Sequence, residues 1–251
     1  MKCLILAAGY ATRLYPLTEN FPKPLLEVGG RTILDWLVDD ISLIQGTDAC
    51  AVDEFIVISN HKFAGHFSKW AEAKTQKITV VDDGTSTNET RLGAVCDIRF
   101  AIESLGLDDD LLVIAGDNVL DFSLGHLMKY ATVKGTSCIM RYAENDDAHL
   151  RKCGVVCIDA DEKVTDMEEK PSRPKSRWCC PPFYVLRRED AARIGEAISD
   201  GCGTDAPGSL IAWLTVHSTV HAMEMPGCRY DVGNLESYRK ISDTYSGITT
   251  L

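Results

Sequence analysis

The sequence lacks the marks of several function classes. No apolar run reaches the ~18 residues that a membrane span requires, and the apolar stretch after Lys2 is too short for the core of a signal peptide. A cytoplasmic protein without a membrane partner is expected. Basic residues are in deficit, with a net charge of −11. A general nucleic-acid binder needs a basic face, so no nucleic-acid partner is expected, although a few local cations suffice for a small anion. The ten cysteines include no C-x-x-C pair of the zinc or redox kind. Several lie in apolar runs, where a free thiol packs as a small hydrophobe, so reduced thiols are expected. Two phosphate-binding patterns are missing as well. There is no G-x-x-x-x-G-K-[ST], and no G-x-G-x-x-G, because Gly9 is followed by Tyr10, Ala11, Thr12, Arg13 and Leu14. Neither a P-loop kinase nor a nicotinamide dehydrogenase is supported. No repeat and no Gly/Ser-rich linker divides the chain.

What is present is an alternation. Apolar runs at Cys3–Leu6, Phe55–Ser59, Ile78–Val81 and Leu111–Ala115 read as strands. Helical spacing fills the gaps at Thr32–Gln45, His61–Lys74, Glu89–Glu103 and Leu124–Lys134. This order predicts an α/β fold, three-layered, with a mostly parallel central sheet covered on both faces. The second half is richer in strands: Thr136–Arg141, Gly154–Ile158, Lys163–Glu168, Phe183–Leu186 and Val220–Met225. Helices are expected there at Glu189–Ser199, Ser209–Thr215 and Leu235–Thr244. A single domain of 251 residues is expected, with lobes 1–135 and 136–251 sharing one sheet.

Ligands of open parallel sheets bind beyond the carboxyl ends of the strands. Three features fall there: the Gly9–Lys23 loop, the Asn88–Gly93 turn and Gly116-Asp117-Asn118. Gly9 permits close backbone approach, and consecutive small residues expose N–H groups that cradle phosphate. Arg13 offers a planar fork for phosphate oxygens. Lys23 lies between Pro22 and Pro24, which stiffen the backbone on both sides. Asp117, after the run "LLVIA", has the chemistry of a Mg²⁺ ligand, though a turn aspartate would look the same. Asp231 in "RYDVGN" and Glu169-Lys170 in "DMEEKPSRPKS" read, taken alone, as a turn and a solvated face. Asp108-Asp109-Asp110 precede their strand and read as a solvated turn.

Together these residues resemble the sugar-1-phosphate nucleotidylyltransferases, which include glucose-1-phosphate thymidylyltransferase and mannose-1-phosphate guanylyltransferase. The resemblance spans nearly the whole chain. It is carried by Gly9-x-x-Thr12-Arg13-Leu14-x-Pro16-Leu17-Thr18-x-x-x-Pro22-Lys23-Pro24, then in order by "AGDN" (115–118), "EEKP" (168–171) and "YDVGNLESY" (230–238). It implies a Rossmann-like nucleotide-binding half, a β-rich sugar-binding part, and condensation of a nucleoside triphosphate with a sugar 1-phosphate. It further implies that Leu6, Ala8, Gly9, Arg13 and Lys23 hold the nucleotide, with Arg13 and Lys23 in the catalytic role. Asn88 and Gly93 fall where the base is read. Asp117, beside the nucleotide, and Asp231 would hold Mg²⁺, and Gly154, Glu169 and Lys170 would face the sugar phosphate. Two positions depart from the pattern: Ala11 stands where a second glycine is usual, and Pro182 in "RWCCPPFYV" where relatives often have glycine.

The implied reaction needs no general base, because the attacking phosphate oxygen is already anionic. Positioning and cations carry it. The alternatives are a cytidylyltransferase for choline phosphate or a phosphonate, which has no need of Glu169-Lys170, and a silent sugar-nucleotide-binding regulator. A glycosyltransferase reading fails because the acidic triplet lies at the wrong end of its strand. The base, the sugar and the oligomeric state are left open, a homo-oligomer included.

Overall fold

The structure is a computed structural model that describes residues 1–44 and 51–249, apart from the side chain of Asp231. In chain order these residues form β1 (Lys2–Leu6), β2 (Glu27–Val28), β3 (Arg31–Thr32), α1 (Ile33–Leu43), β4 (Glu54–Ser59), α2 (His61–Glu72), β5 (Ile78–Asp82), α3 (Ala94–Leu105), β6 (Leu111–Ala115), β7 (Asn118–Leu120) and α4 (Gly125–Lys134). There follow β8 (Ser137–Ala143), α5 (Asp147–Leu150), β9 (Gly154–Ile158), β10 (Val164–Glu169), β11 (Trp178–Cys180), β12 (Phe183–Leu186), α6 (Arg188–Ala191), α7 (Ile194–Ser199), α8 (Gly208–His217), β13 (Val220–Glu224), β14 (Arg229–Asp231) and α9 (Leu235–Thr244). The expected α/β class is observed, with a mixed central sheet that is parallel at its core. No helix of the described residues is long and apolar enough to cross a membrane.

The chain divides into two compact units. Unit 1 comprises Met1–Arg91, Ile114–His126 and Pro226–Leu251; unit 2 comprises Leu92–Val113 and Leu127–Met225. Unit 1 is built on parallel pairing, β1 with β4 and β4 with β5, in the registers Leu4↔Ile56 and Ile56↔Thr79. Leu4, Ile5, Ile56 and Val57 are fully buried, as near-continuous apolar runs in a parallel sheet must be. Helix α1 starts where the Thr32 hydroxyl accepts the Asp35 N–H at 3.1 Å, and Asn60 caps α2 through the Phe63 N–H at 3.1 Å. Unit 2 is mostly antiparallel: β10–β9, β9–β11, β11–β8 and β8–β12, with β13 parallel to β8.

Several local expectations need correction. The helix expected at Glu89–Glu103 begins at Ala94. Gly93 has φ +91°, outside any helix, and Thr87–Thr90 close a turn before it. The helix expected at Glu189–Ser199 is two, α6 and α7, parted at Arg193 with φ −91° and ψ 4°. The acidic triplet is not merely solvated. Asp110 accepts Arg187 Nη1 at 2.6 Å and the Arg188 N–H at 2.8 Å, and Asp108 pairs with Arg188 at 3.2 Å. Strands β2, β3, β7, β11 and β14 have three residues or fewer, too short to show a period. The nine cysteines of the described residues are free thiols. Cys50 and Gln45, the expected last residue of α1, lie outside the described residues.

Candidate active site

In unit 1 the loop after β1 is fixed before any ligand arrives. Ala7 N–H donates to the Ile58 carbonyl at 2.9 Å, and the buried Asn60 amide donates to the Ala8 carbonyl at 2.9 Å. Thr18, fully buried, donates its hydroxyl to the Ala11 carbonyl at 2.8 Å. Ala11 sits at φ 47°, ψ 41°, in the left-handed region, where glycine is the easier residue. The departure noted in the sequence is therefore a strained one. After this anchor Thr12–Leu14 make a 3₁₀ turn. Arg13 is exposed, and its guanidinium has no hydrogen bond or ion pair among the described residues. Gly9 is exposed, Ala8 is buried and Leu6 half-buried.

Lys23 is treated the opposite way. It opens a 3₁₀ turn between its two prolines, is 7% exposed, and donates Nζ to Asp117 Oδ2 at 2.7 Å. The other Asp117 oxygen accepts Asn118 Nδ2 at 3.0 Å, and Asn118 Oδ1 accepts Arg229 Nη1 at 2.8 Å. Burial alone would raise the Asp117 pKa. The Lys23 charge and hydrogen bond, with Arg229 behind, outweigh burial and hold the carboxyl below its usual range. Asp117 reaches this place because Gly116 lacks a side chain: its N–H donates to Leu6 at 3.0 Å, and a Cβ would lie 2.8 Å from Ile5 Cγ2. Strand β14 pairs antiparallel with β7 and sets Asp231 directly opposite Asn118. The Asp231 side chain, predicted as a metal ligand, lies outside the described atoms. Asn88, predicted near the base, is half-buried, and its carbonyl accepts Arg91 Nη1 at 2.8 Å.

In unit 2 the register of β9 and β10 sets Gly154 opposite Glu169. Glu169 is half-buried, and among the described residues no donor reaches its carboxylate. Burial pushes its pKa up, Lys170 offsets part of that, and Cys153 and Asp205 add to it. Lys170 is exposed, at φ 51°, with its N–H on the Cys153 carbonyl at 3.0 Å. A left-handed lysine at a candidate site is stored strain. Gly93 packs backbone to backbone: Ala94 and Val95 donate to Asp205 and Thr204, and a Cβ on Gly93 would lie 2.5 Å from the Thr204 oxygen. Its glycine identity thus has a packing cause.

A divalent cation fits what unit 1 offers. Asp117 is ionised and partly exposed, and Mg²⁺ is usually held by one or two carboxylates plus phosphate oxygens of the substrate. Among the described residues no group of three or more His, Cys, Asp or Glu is placed to hold a metal ion as a dedicated cage.

The family model described as nucleotidyl transferase matches residues 2–247. The chain belongs to the nucleotidyl transferase family. The resemblance read from the sequence is thereby borne out. Among nucleotidyl transferases, the chain is 26% identical over 243 residues to a protein of Sulfolobus acidocaldarius provisionally named a mannose-1-phosphate guanyltransferase. That match covers 96% of this chain and 62% of the relative. The chain spans between 41% and 62% of the length of the curated relatives it matches. Two solved structures share the fold. One is a provisionally named glucose-1-phosphate thymidylyltransferase of Bacillus anthracis in complex with sucrose, with TM-score 0.82, 21% identity, and 100% of this chain and 97% of that one covered. The other is a UDP-glucose pyrophosphorylase complexed with UDP-glucose, with TM-score 0.79, 19% identity and 97% of each chain covered.

Proposed function

We propose that this chain condenses a nucleoside triphosphate with a sugar 1-phosphate, giving a nucleoside-diphosphate sugar and pyrophosphate. The observation that carries the reading is the pair of cations, Arg13 and Lys23, on one stiffened loop. One is left open for an anion, and the other holds Asp117 ionised beside it. Leu6, Ala8 and Gly9 hold the nucleotide by backbone, and Arg13 grips its phosphates. Asn88 and Gly93 lie near the base. In unit 2, Lys170 meets the acceptor phosphate and Glu169, beside Gly154, accepts sugar hydroxyls. The relatives' names, guanyltransferase and UDP-glucose pyrophosphorylase, belong to the same reaction class.

The chemistry follows from charge. An acceptor phosphate oxygen attacks the α-phosphorus in line, one P–O bond forms, and the bond to the β-phosphate breaks as pyrophosphate leaves with its electron pair. No proton has to be removed from the nucleophile. The barrier is repulsion between polyanions and the charge growing on the α-phosphoryl oxygens, which Arg13 meets from a loop whose backbone is fixed in advance. Asp117, with Asp231, would hold Mg²⁺, which when bound neutralises phosphate charge and polarises the phosphoryl group. Lys23 keeps Asp117 oriented and ionised. Glu169-Lys170 favour a sugar phosphate over choline phosphate, which has no hydroxyls for a carboxylate to accept.

The test is pyrophosphate release with Mg²⁺ across dTTP, UTP, CTP, GTP and ATP. Each is paired with glucose, mannose, galactose and N-acetylglucosamine 1-phosphates and with choline phosphate. Release with a sugar phosphate is expected. Release with choline phosphate alone moves the chain to the cytidylyltransferase reading. Nucleotide binding without release in any pairing favours the regulator.

A further inference from the structure

We propose that Gly208, the first residue of α8, is a positioning residue for Glu169: its missing side chain is the space in which the Glu169 carboxylate rests. The inference rests on the reading that Glu169 binds the acceptor, and it concerns what sets Glu169 in place. Met167 and Glu169 lie on the same face of β10, two residues apart. A Cβ on Gly208 would overlap Glu169 Oε2 and lie 3.0 Å from Met167 Cε. Across the strand pair, a Cβ on Gly154 would lie 3.0 Å from the same oxygen and 2.9 Å from Met167 Cε. The carboxylate thus occupies a slot walled by two glycines.

The backbone gives no other reason for glycine at 208. It is helical and lacks the positive φ found at Gly93 or Gly106. Glycine weakens a helix relative to alanine. What glycine supplies here is volume, and Glu169 fills it. The carboxylate is the far end of a flexible side chain with no donor to lose among the described residues. Its swing is therefore the cheapest response to an added methyl group, cheaper than moving α8, whose Leu210, Ile211 and Leu214 are fully buried.

The experiment is Gly208→Ala, alone and combined with Glu169→Ala. We expect KM for the sugar phosphate to rise roughly 10- to 100-fold, the scale of a lost hydrogen bond to a charged group. The KM for the nucleotide should stay within about twofold, as for independent sites. Because Glu169→Ala removes the displaced carboxylate, Gly208→Ala should cost nothing further in that background. A full additional loss there, or no loss in the single variant, overturns the proposal. A second measurement needs no turnover: titration of ¹³C-labelled glutamate carboxyls by NMR. The Glu169 signal should move toward the ordinary glutamate range in Gly208→Ala as the group swings into water; an unmoved signal overturns the proposal. If no sugar phosphate reacts, the functional reading fails, and the titration still decides about Gly208. If Gly208→Ala does not fold, the double variant should fold, since the overlapping atoms are gone; failure of both overturns the proposal.

Discussion

Two carboxylates at strand ends, Asp117 in unit 1 and Glu169 in unit 2, are handled in opposite ways. Asp117 is held by what surrounds it: Lys23 on one oxygen, Asn118 on the other and Arg229 behind. Glu169 is held by what is missing around it, the side chains of Gly154 and Gly208, and it meets no donor among the described residues. Cations keep the first carboxyl acidic, while burial makes the second reluctant to ionise. The difference teaches a division of labour. On the proposed reading, the carboxylate that would face a metal cation is kept ionised and oriented in advance by the protein's own cations. On the same reading, the carboxylate that would accept sugar hydroxyls is left short of donors among the described residues, so that a ligand can supply them.

The sharpest way to break this contrast is through the glycine packing of unit 2. Gly93→Ala drives a Cβ into the Thr204 carbonyl from a φ that alanine resists. We expect ~3 kcal/mol or more of destabilisation, seen as a lower urea midpoint; an unchanged midpoint would sink the packing account. Next is Arg13→Ala, which should lower kcat/KM by roughly 10²-fold or more with thermal unfolding unchanged, because the side chain is exposed and has no partner among the described residues. Near-normal turnover would remove Arg13 from the mechanism. Lys23→Met tests the ion pair. Asp117 is 43% exposed on its side chain, so solvent screening limits the loss to ~1 kcal/mol, read from denaturant unfolding at pH 7.

The pH dependences of the two carboxyls have opposite signs. The Asp117 pKa is lowered in the fold, so its stabilisation is present above the unfolded value near ~4 and fades as pH falls through the lowered one. Asp117→Asn should therefore lower Tm at pH 7, and the gap should close in acid. The Glu169 pKa is raised, so ionisation costs stability above the raised value and costs nothing below about pH 4. Glu169→Gln should raise Tm at pH 7 and match the parent in acid. Equal signs for the two variants would erase the contrast. The smallest effect is Ala11→Gly. Relief of ~1–2 kcal/mol of left-handed strain, less the ~0.4–1 kcal/mol entropy of an added glycine, should leave a gain of ~0.5 kcal/mol in chemical denaturation.

Much of this was legible in the sequence where the information is local. The apolar runs of β1, β4 and β6 announce buried parallel strands, and Pro22-Lys23-Pro24 announces a stiff loop. Asp117 was marked by its place after "LLVIA", and its contact with Lys23 joins two residues singled out separately. Asn118 and Thr18 stood inside recognised motifs without a role. Arg229 opens the stretch "RYDVGN" without a role, and Asn60 and Gly208 carry no signal. Arg229 meets Asn118 across 111 positions, and no periodicity encodes such a pairing. Gly208 lies at a helix start, where glycine looks like a poor choice until Glu169 is seen beside it. The misplaced start of α3 has the same cause: residues 89–93 have helical spacing, but the fit of Gly93 against Thr204 and Asp205 overrides it.

The division of unit 1 into three pieces of chain has a consequence for its manufacture. On a ribosome Lys23 and Asp117 emerge early, but Arg229 and the strand that faces Asn118 belong to the segment from Pro226 onward. Every residue of unit 2 is synthesised before that segment. The nascent chain can therefore complete the part with Glu169 while the part with Asp117 still lacks its rear cation, so unit 1 is closed only after all of unit 2 has been made.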